Sequence, residues 1–319
     1  MIGDVLVGHW TDATAKTGCT VLLFPEGSVA SGEVRGGAPG TREWELLDPT
    51  KMVQRIDAVV LAGGSAYGLA ACDGVMAWCE ERGRGFATAG GVVPIVVGAV
   101  LYDLAQGDGK VRPTAASGYE ACAVAEPWQT GAGPAVGLVG AGTGAMVNKW
   151  RGMEHARPGG IGYAAITDGT VTVATLIAVY AWGDVVDPAL PLPVEGAAAV
   201  FANKGFNDGP TERDGTPTVA PSGNGRTNPE VGTNTTIGVV MTDATLDKVG
   251  CQLLAQSAHD GLARAIWPVH TTADGDAIVA VSVGRPADDP PNPAPIDLVR
   301  MLCVEATARA IRAACSVVQ

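Results

Sequence analysis

Short apolar runs that stop at glycine, proline or aspartate set the main limit on what this chain can fold into. Val5–His9, Cys19–Phe24, Ala58–Leu61, Val92–Val97, Ala135–Val139, Thr172–Ala181 and Ile237–Thr242 read as strands, because β-formers fill them and turn formers bound them. Three helical patterns interrupt the series. Leu69, Cys72, Val75 or Met76, and Cys79 recur at three-to-four spacing and predict a helix starting just after Gly68; Leu246, Val249, Leu253 and Leu262 predict a second. Met301, Val304, Ala308, Ile311 and Cys315 share one face of a third, with Arg300, Arg309 and Arg312 on the other. This mixed order, without a strict β-α-β alternation, predicts an α+β or layered sandwich. With 47% hydrophobic residues in 319, a single domain spanning 1–319 has ample material for its core.

Charge narrows the partners. The 33 acids and 21 bases leave a formal charge of −12, and no Lys/Arg run occurs, so nucleic acid and anionic membrane surfaces are poor partners. The best apolar run, Gly90–Leu101, holds Pro94 and falls short of the roughly 18 to 20 residues of a membrane-spanning helix. Met1–Val7 lacks the basic leader, apolar stretch and cleavage site of a secretory signal. Cys19, Cys72, Cys79, Cys122, Cys251, Cys303 and Cys315 are odd in number and form no Cys-x-x-Cys pair. The expectation is a cytoplasmic protein with reduced core cysteines.

Between Asp187 and Gly232 the texture changes: Pro188, Pro191 and Pro193 are followed by a stretch dense in Gly, Asn, Asp, Thr and Pro. It reads as a surface loop, with 203–232 a flexible linker. The pattern then returns abruptly to a strand, Thr235–Thr242, that opens with two hydroxyl side chains.

Several chemistries fail on spacing. His9, His155, His259 and His270 are scattered without paired-ligand spacing, so no metal is implied. Gly140-Ala141-Gly142-Thr143-Gly144-Ala145 fits a loose dinucleotide fingerprint after a strand, but Gly152 and Pro158 cut the helix that must follow. Ser65 lacks the Gly-x-Ser-x-Gly frame of a serine hydrolase. What remains is an N-terminal threonine. A free α-amine titrates near ~8 and can take a hydroxyl proton directly, without histidine. Cleavage of Asn234-Thr235 by attack of Thr235 Oγ on the Asn234 carbonyl would create that amine. Asp274-Gly275-Asp276 places two carboxylates on one side of an extended segment, or else marks an Asp-Gly turn before the strand Ile278–Val283.

At these residues the sequence resembles the self-processing aminopeptidases and amidases that include L-aminopeptidase/D-esterase, β-aminopeptidases and nylon-oligomer hydrolases. The similarity runs through Val7-Gly8-His9, Gly18–Val21, Arg35–Glu43, Leu61–Leu69, Val93–Val96, Gly140–Ala145, Asn234–Ile237 and Thr242–Ala244. The resemblance implies an α/β/β/α sandwich similar to N-terminal nucleophile hydrolases with different connectivity. It implies a self-cut into an α chain of 1–234 and a β chain of 235–319, assembled as a tetramer of αβ units, with no cofactor. By the same resemblance Thr235 takes the nucleophile position, and Asp274 and Asp276 the acidic pair of nylon-oligomer hydrolases, where other members carry Ser and Glu. Lys149 matches a lysine beside the nucleophile, Tyr67 a tyrosine lining the site, and Gly142 and Thr143 a loop at the pocket. One departure stands out: relatives place an oxyanion-stabilising asparagine where this chain has Tyr180, and Lys149 is the obvious substitute donor. The implied activity is hydrolysis of short peptides or ω-amino-acid oligomers through an acyl-enzyme. The alternatives are release of N-terminal residues by an aminopeptidase, and a non-catalytic or nucleotide-binding relative on the same scaffold.

Overall fold

Strands apolar on both faces must be covered on both, and this requirement builds the molecule in layers. The computed structural model describes residues 2, 5–127, 133–187, 189–192, 194–195, 197–202, 234–285 and 289–316; the linker expected at 203–232 lies outside them. One sheet combines β1 (Leu6–Asp12), β2 (Thr17–Leu23), β4 (Thr41–Arg42), β5 (Ala58–Ala62), β6 (Val96–Val100) and β7 (Glu126–Pro127), in the order β4-β6-β5-β2-β1-β7. The other combines β3 (Val29–Val34), β8 (Gly160–Asp168), β9 (Val171–Tyr180), β10 (Thr235–Thr242) and β11 (Ala277–Ser282), in the order β8-β9-β10-β11-β3. The first sheet is covered by helices α1 (Ala71–Glu80) and α2 (Ala115–Ala123), the second by α3 (Lys248–Ala263) and α4 (Ile296–Ser316).

Three apolar clusters glue these four layers. Leu22, Leu61 and Val97 meet Leu176, Ile237, Met241 and Val279 between the sheets. Cys19, Val60, Cys72 and Val75 fill the space under α1 and α2, while Ile177, Val240, Leu254, Ala306 and Ile311 fill that under α3 and α4. This is the expected α/β/β/α sandwich. Since Ile237, Val239 and Met241 face the other sheet, the period of two turns Thr235 the same way and Thr236 towards the helices.

Several elements differ from the sequence expectation. Val92–Val97 is two strands, Gly91–Val93 in a hairpin with Phe86–Thr88 and then β6, because Pro94 has no N–H for a continuous ladder. Ala135–Val139 forms no strand; Gly137 makes only an isolated bridge to Ile161. In α4 the buried residues are Val299, Leu302, Cys303, Ala306, Thr307, Ala308, Ala310, Ile311 and Ala314, so Ala308 and Ile311 of the expected face are buried while Met301 is 60% exposed. Small residues line the buried side because a Cβ at Gly162 would meet the Ala310 carbonyl oxygen at 1.9 Å, so large side chains would hold helix and strand apart. Val249, likewise expected in the core, is 56% exposed, while Cys251, Leu254, Ala255 and Ala258 carry the contact.

All seven cysteines are free and six are buried. Burial pushes the Cys72 and Cys251 thiols up to about 12, which leaves them unreactive packing groups. No described helix is long and apolar enough to cross a membrane, and the described residues hold no cluster of metal-ligating side chains.

Candidate active site

Parallel pairing brings the starts of two strands to one edge of a sheet. β10 and β11 are parallel neighbours, with Ile237 opposite Ala277, and an isolated bridge joins Asn234 to Asp274 just ahead of them. The Asp274-Gly275-Asp276 segment therefore lies beside the Asn234-Thr235 bond. On the other flank β9 runs antiparallel and places Tyr180 directly opposite Thr235. The chain then turns so that the Trp182 carbonyl accepts the N–H groups of Lys149 and Trp150 at 2.9 and 3.0 Å. Lys149 reaches the cluster by that route.

Thr235 is 4% exposed and Asn234 2%. The Thr235 hydroxyl donates to the carbonyl oxygen of Asn234, the residue before it. The Gly275 N–H donates to the same oxygen at 2.9 Å. A hydroxyl and a backbone N–H thus converge on one carbonyl oxygen at a single peptide bond. Room for them exists because position 275 has no side chain: a Cβ there would lie 2.7 Å from Thr235 Oγ1.

The two carboxylates are both buried and take different partners. Asp276 accepts the Thr236 N–H at 2.7 Å on one oxygen, and His270 Nδ1 at 2.8 Å on the other. Asp274 accepts the Thr271 hydroxyl at 2.6 Å, with the Thr271 and Trp182 N–H groups at 3.3 Å. Their described bonds go to these neighbours rather than to Thr235 itself: Asp276 holds the backbone of β10 at Thr236, and Asp274 holds that of the turn after β9 at Trp182. The loop after β3 braces them: Arg35 and Gly36 donate to the Asp276 carbonyl and Ala38 to that of Asp274. A Cβ at Gly36 would meet Asp276 N at 2.3 Å, which is the physical content of the Arg-Gly-Gly-Ala motif.

Burial, and then the charge of Asp276, push the Asp274 carboxyl up to about 7, with the Thr271 and Trp182 bonds and the Lys149 charge working against them. Between its ordinary range and 7 the folded chain holds a proton that the unfolded chain has lost. Stability therefore falls as pH rises through that window. Urea unfolding of a Thr235→Ala chain is expected to lose of the order of 2 kcal/mol between pH 4 and 7, and Asp274→Asn to flatten that slope. An equal slope in both would remove Asp274 as its source.

Lys149 is buried, with its ammonium 3.3 Å from the centroid of the Tyr180 ring. Asn148 takes a left-handed backbone, φ 61°, and its side-chain oxygen accepts the Val185 N–H at 3.0 Å, which fixes the turn that delivers the lysine. Burial raises the Tyr180 phenol to about 12, so it stays protonated, and its oxygen accepts from Gln106 Nε2 at 3.1 Å. The phenol is thus directed to Gln106, and the donor on the Asn234 carbonyl is the Gly275 N–H instead.

The remaining pocket residues stand differently from expectation. Gly140–Gly142 is a buried 3-10 turn whose N–H groups are all taken: Gly140 donates to the Thr11 hydroxyl, Ala141 to the Thr20 hydroxyl and Gly142 to the Val139 carbonyl, while the Thr143 N–H and hydroxyl both go to the Gly140 carbonyl. Gly142 and Thr143 therefore present no free N–H to an oxyanion, and no helix N-terminus opens there for a nucleotide phosphate. Tyr67, on the short 3-10 helix Ser65–Ala70, is 61% exposed, and the contact described for its ring is the Arg112 guanidinium 3.8 Å above it. Gly275 and His270 were not read from the sequence as site residues. The signal for both was positional, a glycine between two acids and a histidine six residues before the second.

The chain matches the sequence model of peptidase family S58 over residues 2–319. It belongs to that family. An uncharacterized aminopeptidase of Mycobacterium tuberculosis is 45% identical over 298 residues, covering 91% of this chain and 82% of that protein. A 6-aminohexanoate-oligomer endohydrolase of Kocuria sp. is 29% identical over 286 residues, covering 87% and 72%. Among solved structures, the L-aminopeptidase D-Ala-esterase/amidase of Ochrobactrum anthropi superposes with a TM-score of 0.66 at 20% identity, covering 98% of this chain and 83% of that one. That protein is described as a variant of the Ntn hydrolase fold, which is the fold seen here. This S58 chain is a peptide or amide hydrolase.

Proposed function

We propose that the chain cuts its own Asn234-Thr235 bond and then hydrolyses short amides with the freed Thr235. The observation that carries this reading is the Thr235 hydroxyl lying on the Asn234 carbonyl while the Gly275 N–H holds that carbonyl from another side. In the first reaction Oγ bonds to the Asn234 carbonyl carbon, the C–N bond breaks, and the nitrogen takes the hydroxyl proton. Water then hydrolyses the ester, leaving Asn234 as a carboxylate and Thr235 with both its hydroxyl and a free α-amine. The bond from Asp276 to the Thr236 N–H holds the new terminus in place. In the second reaction the α-amine takes the hydroxyl proton and Oγ attacks a substrate amide. The proton passes to the leaving amine, and water releases the acyl group. The Gly275 N–H and the Lys149 ammonium stabilise the oxyanion in both.

The substrate class in this reading is a short peptide or an ω-amino-acid oligomer. Asp274 and Asp276 favour the second, since their Asp-x-Asp pattern resembles the nylon-oligomer hydrolases; the 45% identity to an uncharacterized aminopeptidase favours release of N-terminal residues. The same reading includes a cytoplasmic tetramer of αβ units working without a cofactor, which light scattering of purified protein checks for assembly.

Denaturing electrophoresis with N-terminal sequencing tests the first reaction. Purified protein is expected to give two pieces, the smaller beginning Thr-Thr-Ile-Gly. Protein that stays intact while fully active would defeat the mechanism. Product analysis by mass spectrometry, on aminoacyl p-nitroanilides and on 6-aminohexanoate oligomers, then separates the two substrate classes.

A further inference from the structure

His270 is held in place from several sides. Its backbone is left-handed, φ 54°, a region that few residues other than glycine enter and that Asn, Asp and His enter most readily. Its side chain is only 16% exposed. Nδ1 lies 2.8 Å from Asp276 Oδ2, the His270 N–H donates to that same oxygen at 3.2 Å, and Nε2 faces the His259 carbonyl oxygen at 3.4 Å. Both ring nitrogens therefore face oxygen acceptors. The ring also packs edge-on against His259, centroids 4.8 Å apart.

His259 cannot take over this task. It is fully buried, burial lowers it to about 4, and its Nε2 is engaged with the Glu33 carbonyl at 2.9 Å. The charges around the pair come from every element packed against it. Asp274 is on the same loop; Arg35, at the end of β3, is paired with Glu33 and with Asp260 of α3; and Lys149 acts on Asp274 from the far side.

The two carboxylates are unequally supplied with donors. Asp276 has the ring nitrogen Nδ1 of His270 at 2.8 Å and backbone N–H groups at 2.7 and 3.2 Å. Asp274 has one hydroxyl at 2.6 Å and two N–H groups at 3.3 Å. Two buried carboxylates that repel one another do not both ionise readily, and the proton of the pair goes to the member whose anion is less well supplied with donors. Resting on the reading of Thr235 as nucleophile, we propose that His270 is a positioning residue: its Nδ1–H keeps Asp276 the ionised member of the pair, so that the shared proton resides on Asp274, beside the Asn234-Thr235 bond.

The test compares His270→Ala and His270→Asn with the wild type, reading self-cleavage on gels, thermal midpoint, and the pH profile of kcat/KM. Asparagine accepts a left-handed backbone and puts a donor near the Nδ1 position. Loss of the donor raises the apparent pKa of the pair, so the acidic limb of the His270→Ala profile is expected to move up by roughly one pH unit. His270→Asn is expected to bring the limb most of the way back. Should His270→Ala not fold, His270→Gln takes its place, since its amide lies near Nε2 and leaves Asp276 without the donor. A limb unmoved in the donor-less variant, with only the thermal midpoint lowered, overturns the proposal, as does His270→Asn displaced as far as His270→Ala. A wild type that never cuts defeats the underlying reading; a wild type that cuts, with variants whose limbs do not move, defeats this inference alone.

Discussion

Thr235→Ala is expected to run as one uncut chain of 319 residues and to lose amide hydrolysis by at least ~10⁴-fold. Two functions disappear with one oxygen. Without the hydroxyl nothing attacks the Asn234 carbonyl, and without that cut the nitrogen of residue 235 remains an amide and cannot act as a base. The structural cost is small beside this, because Thr235 sits at the first position of β10 and the strand keeps its ladder; a thermal midpoint within a few degrees of the precursor's separates chemistry from misfolding. Thr235→Ser restores both the hydroxyl and the latent amine and is expected to cut. An alanine chain that still yields a terminus at residue 235, or that still hydrolyses amides, would place the nucleophile elsewhere.

The layered architecture was legible where strands were densely apolar. Ala58–Leu61 and Ile237–Thr242 read clearly because a strand covered on both faces has few polar residues. β3 and β8 did not, since Val29–Val34 carries Ser, Gly and Glu, and Gly160–Asp168 starts with two glycines within three residues. In α4 Ala308 and Ile311 are buried as expected while Met301 is exposed, because close approach to Gly162 brings small residues such as Ala306, Ala310 and Ala314 into the contact. Thr235, Asp274 and Asp276 were each singled out from the sequence, while their adjacency followed only from the parallel pairing of β10 and β11, which no local pattern encodes. Tyr180 drew notice as a replaced asparagine, yet besides the Thr235 hydroxyl the donor described at the Asn234 carbonyl is a backbone N–H, which has no residue type to read. His270 was invisible for a similar reason: a histidine acting on a carboxylate needs no ligand-like spacing.

Gly275→Ala tests that backbone donor and the space around it. The added Cβ would stand 2.7 Å from Thr235 Oγ1 and 2.7 Å from the Ala38 carbonyl oxygen. The second contact is with backbone, and it does not yield cheaply, because the Ala38 N–H is tied to the Asp274 carbonyl at 2.8 Å. The strain is therefore relieved by displacing the hydroxyl from the Asn234 carbonyl, or by pulling the Gly275 N–H away from it. Either movement breaks the assembly around the scissile bond, and a misplacement of about 1 Å slows such reactions roughly 100-fold. Self-cleavage is expected to slow by at least that much, with a stability loss of about 1–3 kcal/mol from overpacking. Gly90→Ala, whose Cβ would meet nothing closer than 3.9 Å, is the control and is expected to cut like the wild type. Adding Thr235→Ser to Gly275→Ala removes the methyl that restricts the hydroxyl, so the smaller side chain can turn back towards the carbonyl and recover part of the rate. Time courses of fresh precursor on denaturing gels read all four chains. Unimpaired cleavage by Gly275→Ala would show that neither the space beside Oγ1 nor the donor at position 275 limits the reaction.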